Sequence, residues 1–416
     1  MTPRGFRDVL PEEAAEREAL IARIGDTLGA WGYGRVETPV VERLETLEAA
    51  AGSLEGTAFR LVDLDGRLLA LRPDLTVPIA RLVSSRLAEQ PGPFRLRYVA
   101  DAFREHESLR GQARQFTQIG VELIGTGGPA ADAEVVALLV EALRAAGLGR
   151  FTVAVGSVEV FSAILEAAEM DDTWIRAVMD AAHDRNLVEL ARLSDAPGVA
   201  PAAGAALRAV PRIRGSRSAI DECRAAVVGC GCDDALDSLA ETFDLLEAAG
   251  AAEEVMVDFS LMRSFGYYTG IVVEAYAPGV GVPLGGGGRY DRVLERFGLP
   301  APAAGFALGL ERLSIALIEQ GVAVPVRGLD AVIGGEPADA LAAAARLRAA
   351  GWRVVLTERT GLEVVREADR GGATEALIAR GEQILRLDRA GELSLALGEP
   401  LPYPPTTSWA EGGEEL

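Results

Sequence analysis

A ten-residue segment, 115–124, constrains the fold more than any other part of the chain. Its sequence is QFTQIGVELI, and residues two apart on a β-strand lie on the same face of a sheet. The two faces that it predicts are an apolar one, with Ile119, Val121 and Leu123, and a polar one, with Gln118, Gly120 and Glu122. A carboxylate at this position is either paired with an arginine or placed to meet a cationic ligand. The segment therefore predicts a sheet with a core on one side and a polar site on the other.

The pattern on either side of this strand predicts an α+β fold. Strands are expected over 94–103, 255–261 and 271–276, a hairpin over 59–71, and helices over 11–31, 77–87, 130–146 and 311–319. The hairpin is marked by Asp65-Gly66 between two apolar runs. Helical periodicity predominates over 158–249. The four glycines at 285–288 lack the spacing of a dinucleotide-binding loop, and we expect them to form a tight connection between strands.

The length of 416 residues predicts more than one domain. Residues 1–321 carry the strand and helix pattern described above, and 322–327, with Pro325, is typical of a linker. Strands and helices alternate again over 328–416, which predicts a small C-terminal α/β domain. Its acidic, proline-rich end from Pro400 onward is expected to be mobile.

Charge composition excludes several classes of protein. The chain has 41 basic and 62 acidic residues, a net charge of −21, and every basic residue is arginine. The absence of lysine excludes a Walker phosphate loop, a Schiff-base enzyme and a lysine general base. The acidic balance disfavours binding that depends on nucleic-acid phosphates.

The remaining composition is typical of a cytoplasmic protein. No apolar run is long enough for a membrane span, and the first residues have no signal-peptide core. Cys223, Cys230 and Cys232 form no Cys-x-x-Cys pair, and His106 and His183 are distant in sequence. We therefore expect reduced structural thiols, no metal and no cofactor.

Several motifs, in this order, resemble the class II aminoacyl-tRNA synthetases. The helix and strand ending near Pro39 resemble motif 1, Phe103–Glu122 resembles motif 2 and Gly305–Arg312 resembles motif 3. The segments that narrow the resemblance to the histidyl branch are Gly5–Pro11, Leu71–Asp74, Arg263–Gly270 and Gly287–Asp291. The resemblance covers roughly residues 1–320 and implies an antiparallel sheet flanked by helices.

Two kinds of protein belong to this branch, histidyl-tRNA synthetases and the regulatory subunits of ATP phosphoribosyltransferase. The chain departs from the synthetase pattern at His106, where motif 2 has glutamate, and at Gln112 and Gly266. The segments 184–190 and 274–283 instead resemble the regulatory subunit. The C-terminal domain has 15 acids and 9 arginines, so its charge of 9 − 15 = −6 is unsuited to an anticodon stem.

The resemblance implies a regulatory subunit with no catalytic residues of its own, and histidyl-tRNA synthetase is the alternative. By resemblance, the histidine-binding residues are Asp74, Thr76, Gln118, Glu122, Arg263, Tyr267 and Tyr268. A vestigial nucleotide site would retain Arg104, His106, Arg114 and Arg312.

The implied assembly is a dimer, within a hetero-octamer, bound to a catalytic short-form ATP phosphoribosyltransferase. That chain would supply the chemistry of the first step of histidine biosynthesis, because no phosphoribosyl-diphosphate loop is found here. Histidine would be the effector, and neither tRNA nor a membrane is an expected partner.

Overall fold

A computed structural model describes residues 1–51, 54, 57–105, 113–261 and 267–395. The chain consists of two compact units, Met1–Val324 and Pro325–Leu416. His106, Gln112, Arg263, Gly266 and the acidic tail lie outside the described residues. No described helix is both long and apolar enough to cross a bilayer.

The first unit contains twelve described strands and twelve described α-helices. The strands are β1 (Gly34–Arg35), β2 (Val41–Arg43), β3 (Arg60–Val62), β4 (Leu68–Leu71), β5 (Phe94–Phe103), β6 (Gln115–Ile124), β7 (Thr152–Ser157), β8 (Arg214–Gly215), β9 (Val255–Asp258), β10 (Ile271–Tyr276), β11 (Gly285–Arg289) and β12 (Ala303–Gly309). The helices are α1 (Pro11–Ala30), α2 (Leu44–Ala51), α3 (Thr76–Leu82), α4 (Pro129–Ala146), α5 (Val158–Ala167), α6 (Asp172–His183), α7 (Leu187–Ser194), α8 (Pro201–Ala209), α9 (Ser218–Ala226), α10 (Asp233–Ala248), α11 (Arg292–Glu295) and α12 (Leu310–Glu319).

Nine strands form one large sheet in the order β1-β5-β6-β12-β11-β10-β7-β9-β8. The sheet is mainly antiparallel, and the β1–β5 and β7–β9 pairs are parallel. A second sheet, β2-β4-β3, contains the predicted hairpin. The α+β fold class is therefore confirmed, with a mixed large sheet.

The largest apolar cluster of the first unit lies on one face of the large sheet, and a second cluster packs with α3 and α11 against other residues of β5, β6 and β12. In the largest cluster, Ile119, Val121 and Leu123 pack with apolar residues of α1 and α4. Helix α4 begins at Pro129 and ends before Gly147, whose φ of +100° suits a residue without a side chain. The two-faced character predicted for β6 is confirmed.

The glycine segment 285–288 is a strand, so the prediction of a tight connection was wrong. It forms β11 between β10 and β12, near the middle of the sheet. A Cβ atom at Gly287 would lie 2.0 Å from the carbonyl oxygen of Gly305. Glycine is required because the neighbouring backbone leaves no room for a side chain.

The second unit is a five-stranded sheet in the order β14-β13-β15-β16-β17 with two helices. Its elements are β13 (Ala331–Gly335), α13 (Pro337–Ala349), β14 (Val354–Leu356), α14 (Leu362–Gly371), β15 (Glu375–Arg380), β16 (Gln383–Leu387) and β17 (Leu393–Leu395). Strand β13 pairs in parallel with β14 and β15. Strand β15 was not predicted from the sequence.

Candidate functional site

Glu122 lies at the centre of the polar face of the large sheet and is 1 % exposed. The Tyr290 hydroxyl donates a hydrogen bond to its Oε2 atom. Burial raises the pKa of Glu122 to about 8, although Tyr290 and the nearby Thr76 hydroxyl oppose this rise. At neutral pH the group is therefore mainly a protonated carboxyl.

No arginine forms an ion pair with Glu122 in the described part of the chain. Its neighbours are instead the hydroxyls of Tyr290 and Thr76, and the negative charge of Asp74 raises its pKa further. An arginine at this position would stabilise the carboxylate and lower its pKa. Among the described residues, Glu122 is therefore not held by the structural ion pair that was one of the two interpretations of the sequence.

Glycines on the neighbouring strands give the site-facing side chains room to lie against the sheet. Gly305 pairs with Glu122, and Gly120 pairs with Tyr98. A Cβ atom at Gly305 would lie 2.1 Å from the Glu122 Oε2 atom, and one at Gly120 would lie 2.6 Å from the Tyr98 hydroxyl. The absence of a side chain at Gly305 and Gly120 therefore leaves room for Glu122 and Tyr98 in the site.

Replacing Gly305 with alanine is expected to destabilise the protein and to displace Glu122. The new Cβ would also lie 2.3 Å from the Val121 carbonyl oxygen, which belongs to the paired strand. Overpacking of this kind costs about 1–3 kcal/mol of unfolding free energy. Urea unfolding measures the loss, and Gly281→Ala is the matched control because nothing lies within 4 Å of its Cβ position. A Gly305→Ala variant as stable as the control would contradict this packing.

Three tyrosines line the site beside Glu122. The Tyr267 ring centroid lies 5.2 Å from that of Tyr268 and 5.7 Å from that of Tyr290. Burial raises the pKa of all three phenols, so their hydroxyls remain neutral at physiological pH. The result is an aromatic wall whose hydroxyls can donate or accept hydrogen bonds.

Two further acceptors lie on the same side of the sheet. Asp74 comes just before α3, and its Oδ1 atom accepts the backbone N–H of Val77 at 3.4 Å. Burial raises the pKa of Asp74, and Arg104 opposes that rise. The Gln118 Oε1 atom is buried and finds no hydrogen-bond donor among the described residues. Because such atoms are costly to leave unpaired, Gln118 is placed to accept a donor from a ligand.

The predicted histidine-binding residues that the structure describes lie on the same side of the sheet. Asp74, Glu122 and Tyr268 all act electrostatically on Tyr267, and the Thr76 hydroxyl is close to both Tyr267 and Glu122. Gln118 lies four residues before Glu122 on the same face of β6. Arg263 is outside the described residues, so its assignment to the site stays a prediction.

The arginines of the predicted nucleotide site contact groups of the protein itself. The Arg104 Nε atom donates to the Pro73 carbonyl at 3.0 Å, and its guanidinium lies 5.2 Å from the Phe116 ring centroid. The Arg114 guanidinium lies 4.3 Å from the Phe59 ring centroid, and an Nη atom contacts Glu105 at 3.3 Å.

The motif 3 arginine is held in a similar way. The Arg312 Nη1 atom donates to the Pro283 carbonyl at 2.7 Å. Its neighbour Glu311 accepts the backbone N–H of Thr117 and an Nη donor from Arg17. Each described arginine of this group therefore has a structural contact that requires no nucleotide.

Sequence reasoning assigned no role to two residues that organise the site. Tyr290 donates to Glu122, and Arg72 donates to the carbonyls of Asp101, Thr38 and Pro39. The Arg72 contacts hold the chain just before Asp74. Arg72 lies in the segment 71–74 and Tyr290 in the segment 287–291. Both segments resemble the histidyl branch, and this resemblance was the sign in the sequence that these residues have a role in the site.

No group of three or more histidine, cysteine or acidic side chains that could hold a metal ion occurs among the described residues. Cys223, Cys230 and Cys232 are buried free thiols. Burial raises the pKa of Cys223 and Cys232 to about 12, so these thiols are poor nucleophiles.

Comparison with known proteins gives a consistent result. The histidyl-tRNA synthetase family profile matches residues 5–313. The chain is 42% identical over 382 residues to the ATP phosphoribosyltransferase regulatory subunit of Symbiobacterium thermophilum, covering 90% of this chain and 96% of the relative. It is 41% identical over 355 residues to the ATP phosphoribosyltransferase regulatory subunit of Moorella thermoacetica, covering 85% of this chain and 91% of the relative.

Solved structures agree with these relatives. An ATP phosphoribosyltransferase regulatory subunit/histidyl-tRNA synthetase from Bacillus halodurans matches with a TM-score of 0.79 and 32% identity, covering 89% of this chain and 96% of that one. Histidyl-tRNA synthetase from Nostoc sp. PCC 7120 has a TM-score of 0.78 at 22% identity, covering 95% and 96%, which shows a shared fold. The chain therefore belongs to the ATP phosphoribosyltransferase regulatory subunits, a family with the histidyl-tRNA synthetase fold.

Proposed function

We propose that this protein is a non-catalytic regulatory subunit of ATP phosphoribosyltransferase, and that histidine is its effector. The observation that carries the proposal is the side-chain cluster around Glu122, where a buried protonated carboxyl, three tyrosines and an unpartnered amide oxygen face the same side of the sheet. These groups suit a small ligand with an imidazole and an ammonium. The first step of histidine biosynthesis would then be controlled by its end product.

Each part of histidine has a complementary group in this cluster. Glu122 would bind the imidazole through a charge-assisted hydrogen bond, with Tyr268 beside it. Asp74 and Gln118 would accept the α-ammonium, whose three donors suit an unpartnered oxygen. Thr76 would orient Glu122 and Tyr267, since its hydroxyl is close to both. Arg263 would bind the α-carboxylate.

We propose that the catalytic chemistry comes from a short-form ATP phosphoribosyltransferase chain in a cytoplasmic hetero-octamer. Self-association would use the apolar surface of the β2-β4-β3 sheet. Its exposed residues include Val40, Val41, Leu61, Val62 and Leu68. Exposed apolar residues concentrated on one small sheet are typical of a protein–protein interface.

Purified protein is expected to show no histidine-dependent exchange between ATP and pyrophosphate. Amino-acid activation requires tight positioning of ATP, and the described arginines of the nucleotide site contact Pro73, Phe59, Phe116 and Pro283 instead. An authentic histidyl-tRNA synthetase in the same assay is the positive control. Exchange above the protein-free background would establish the alternative function, histidyl-tRNA synthetase.

A further inference from the structure

A cavity of about 230 Å³ lies at one side of the helical segment 158–249, and none of its lining residues belongs to the cluster around Glu122. Its lining residues are Ala182, Arg185, Leu187, Leu190, Pro211, Arg212, Arg214 and Ser260. Three of the eight are arginines and none is acidic. That composition is unexpected in a chain with a net charge of −21.

Four other arginines of the helical segment have carboxylate partners nearby. The pairs are Arg192 with Glu189, Arg208 with Asp195, Arg217 with Asp244, and Arg224 with both Asp233 and Asp237. By contrast, neither Arg212 nor Arg214 forms an ion pair with any described residue. Arg212 donates to the Arg208 carbonyl, which carries no charge.

Of the three arginines, Arg185 is the one with partners on the sheet. It hydrogen-bonds with Tyr276, whose hydroxyl donates to Glu274, and its Nη2 atom lies 3.8 Å from the Glu274 Oε2 atom. Asp258 is opposite Arg214 in the β8–β9 pair, and its Oδ1 atom accepts the Ser260 N–H. Three guanidiniums around one small space repel one another, and an anion between them would remove that repulsion.

Backbone geometry also presents Arg185 to the cavity. Its φ of +53° lies in the left-handed region, which non-glycine residues seldom adopt. It occupies the turn between α6 and α7, where Asn186 caps α7 by accepting the Glu189 N–H. Strained residues of this kind are concentrated at functional sites.

We propose that this cavity is a binding site for a small anion of the phosphate class, with Arg212 and Arg214 as its main donors and Arg185 at its edge. Guanidinium groups match phosphate oxygens with paired donors. The apolar residues Leu187, Leu190 and Pro211 limit the water that competes for those donors. The volume suits a phosphate or pyrophosphate group.

Arg185 also connects this cavity to the sheet that carries the proposed histidine site. Glu274 is buried and pairs with Gly286 on β11, and its charge acts on Tyr268. An anion that draws Arg185 away from Tyr276 and Glu274 leaves more negative potential beside Tyr268. This link rests on the proposed function, and it predicts that pyrophosphate tightens histidine binding about fivefold, and histidine tightens pyrophosphate binding equally.

Calorimetric titration with sodium pyrophosphate, at constant ionic strength and without histidine, tests the site independently of the histidine pocket. Wild type is expected to bind saturably, and Arg212→Gln/Arg214→Gln at least about tenfold more weakly, as two charge-assisted contacts are lost. Arg192→Gln/Arg217→Gln removes the same charge outside the cavity and is expected to bind like wild type. No saturable binding by wild type, or equal binding by all three proteins, would overturn the proposal.

A Leu187→Glu variant tests the same site with every arginine retained. The new carboxylate, at the first residue of α7, suits a helix N-terminus and would occupy the cavity as a built-in anion. Loss of pyrophosphate binding with an unchanged melting temperature is the expected result. Undiminished binding would contradict the assignment of the cavity. Histidine titrations with and without pyrophosphate then test the link between the two sites. Equal histidine affinities would overturn the link and leave the anion site standing.

Discussion

Replacing Glu122 with glutamine is expected to weaken histidine binding by roughly 30-fold or more. The carboxyl is buried and faces the proposed imidazole site, and glutamine of the same shape cannot form the ion pair. A hydrogen bond to a charged group contributes about 2 kcal/mol, which corresponds to that factor. Calorimetry with histidine measures the change, and Glu134→Gln on α4 is a matched control.

The same variant has a readout that does not depend on histidine. Because the pKa of Glu122 rises from 4.5 to about 8 on folding, its contribution to stability is greatest below pH 4.5 and is lost as the pH rises to 8. Glu122→Gln removes that loss. It is therefore expected to melt at a higher temperature than wild type at pH 8, which would show that lost binding is not unfolding. A lower melting temperature together with unchanged affinity would contradict this assignment and place the histidine site elsewhere, at a subunit interface.

Histidine affinity is expected to be greatest between about pH 6.5 and pH 8. The bound pair of imidazole and carboxyl holds one proton, whichever group carries it. Above pH 8 free Glu122 has lost its proton and binding must take one up, and below about pH 6.5 the free imidazole is protonated and binding must release one. Affinity should fall about tenfold per pH unit on each side. The alkaline change near pH 8 is expected to disappear in Glu122→Gln.

Replacing Arg289 with methionine is expected to lower the free energy of unfolding by about 3–5 kcal/mol. Its Nη2 atom lies 2.6 Å from the Asp132 Oδ1 atom, and the two residues are 6 % and 3 % exposed. Without Arg289 the buried carboxylate has lost its ion-pair partner, and burial already raises the pKa of Asp132. The loss is therefore expected to shrink as the pH is lowered and Asp132 becomes protonated.

Two comparisons make this prediction specific. Arg289→Met/Asp132→Leu removes both charges, and it is expected to recover much of the stability. Arg192→Met breaks an exposed pair with Glu189 and is expected to cost less than about 1 kcal/mol. Denaturant unfolding measures all three variants. A loss below 1 kcal/mol for Arg289→Met would contradict a structural role for this ion pair.

Local periodicity was sufficient to predict β6 and the direction of its side chains. A strand with one polar face has a period of two, and that pattern was enough to place Glu122 on the polar face. Its assignment to a histidine site came from the family resemblance and stays a prediction. The hydrogen-bond partner of Glu122 could not be predicted from the pattern, because Tyr290 is 168 residues further along the chain. Contacts between distant segments are set by sheet order, which local sequence does not encode.

Two of the strands that sequence reasoning missed, β11 and β15, have similar physical causes. Glycine is unfavourable in an isolated strand, so 285–288 resembled a turn. The glycines are explained by the backbone of both neighbouring strands, at Gly305 and Ala307 on β12 and at Ile271 and Val273 on β10. In β15 the residues Ala376–Ala379 are all buried. A continuous buried run has no alternation to distinguish it from a helix.

The turnover of a separate short-form ATP phosphoribosyltransferase chain, with and without this protein, tests the regulatory role most directly. The chain should be titrated with histidine in both conditions, with complex size measured by light scattering. We expect a mixed complex, higher turnover in the presence of this protein, and inhibition by histidine that requires wild-type Glu122. A catalytic chain that is fully active and histidine-sensitive alone, and forms no mixed complex, would contradict the regulatory role.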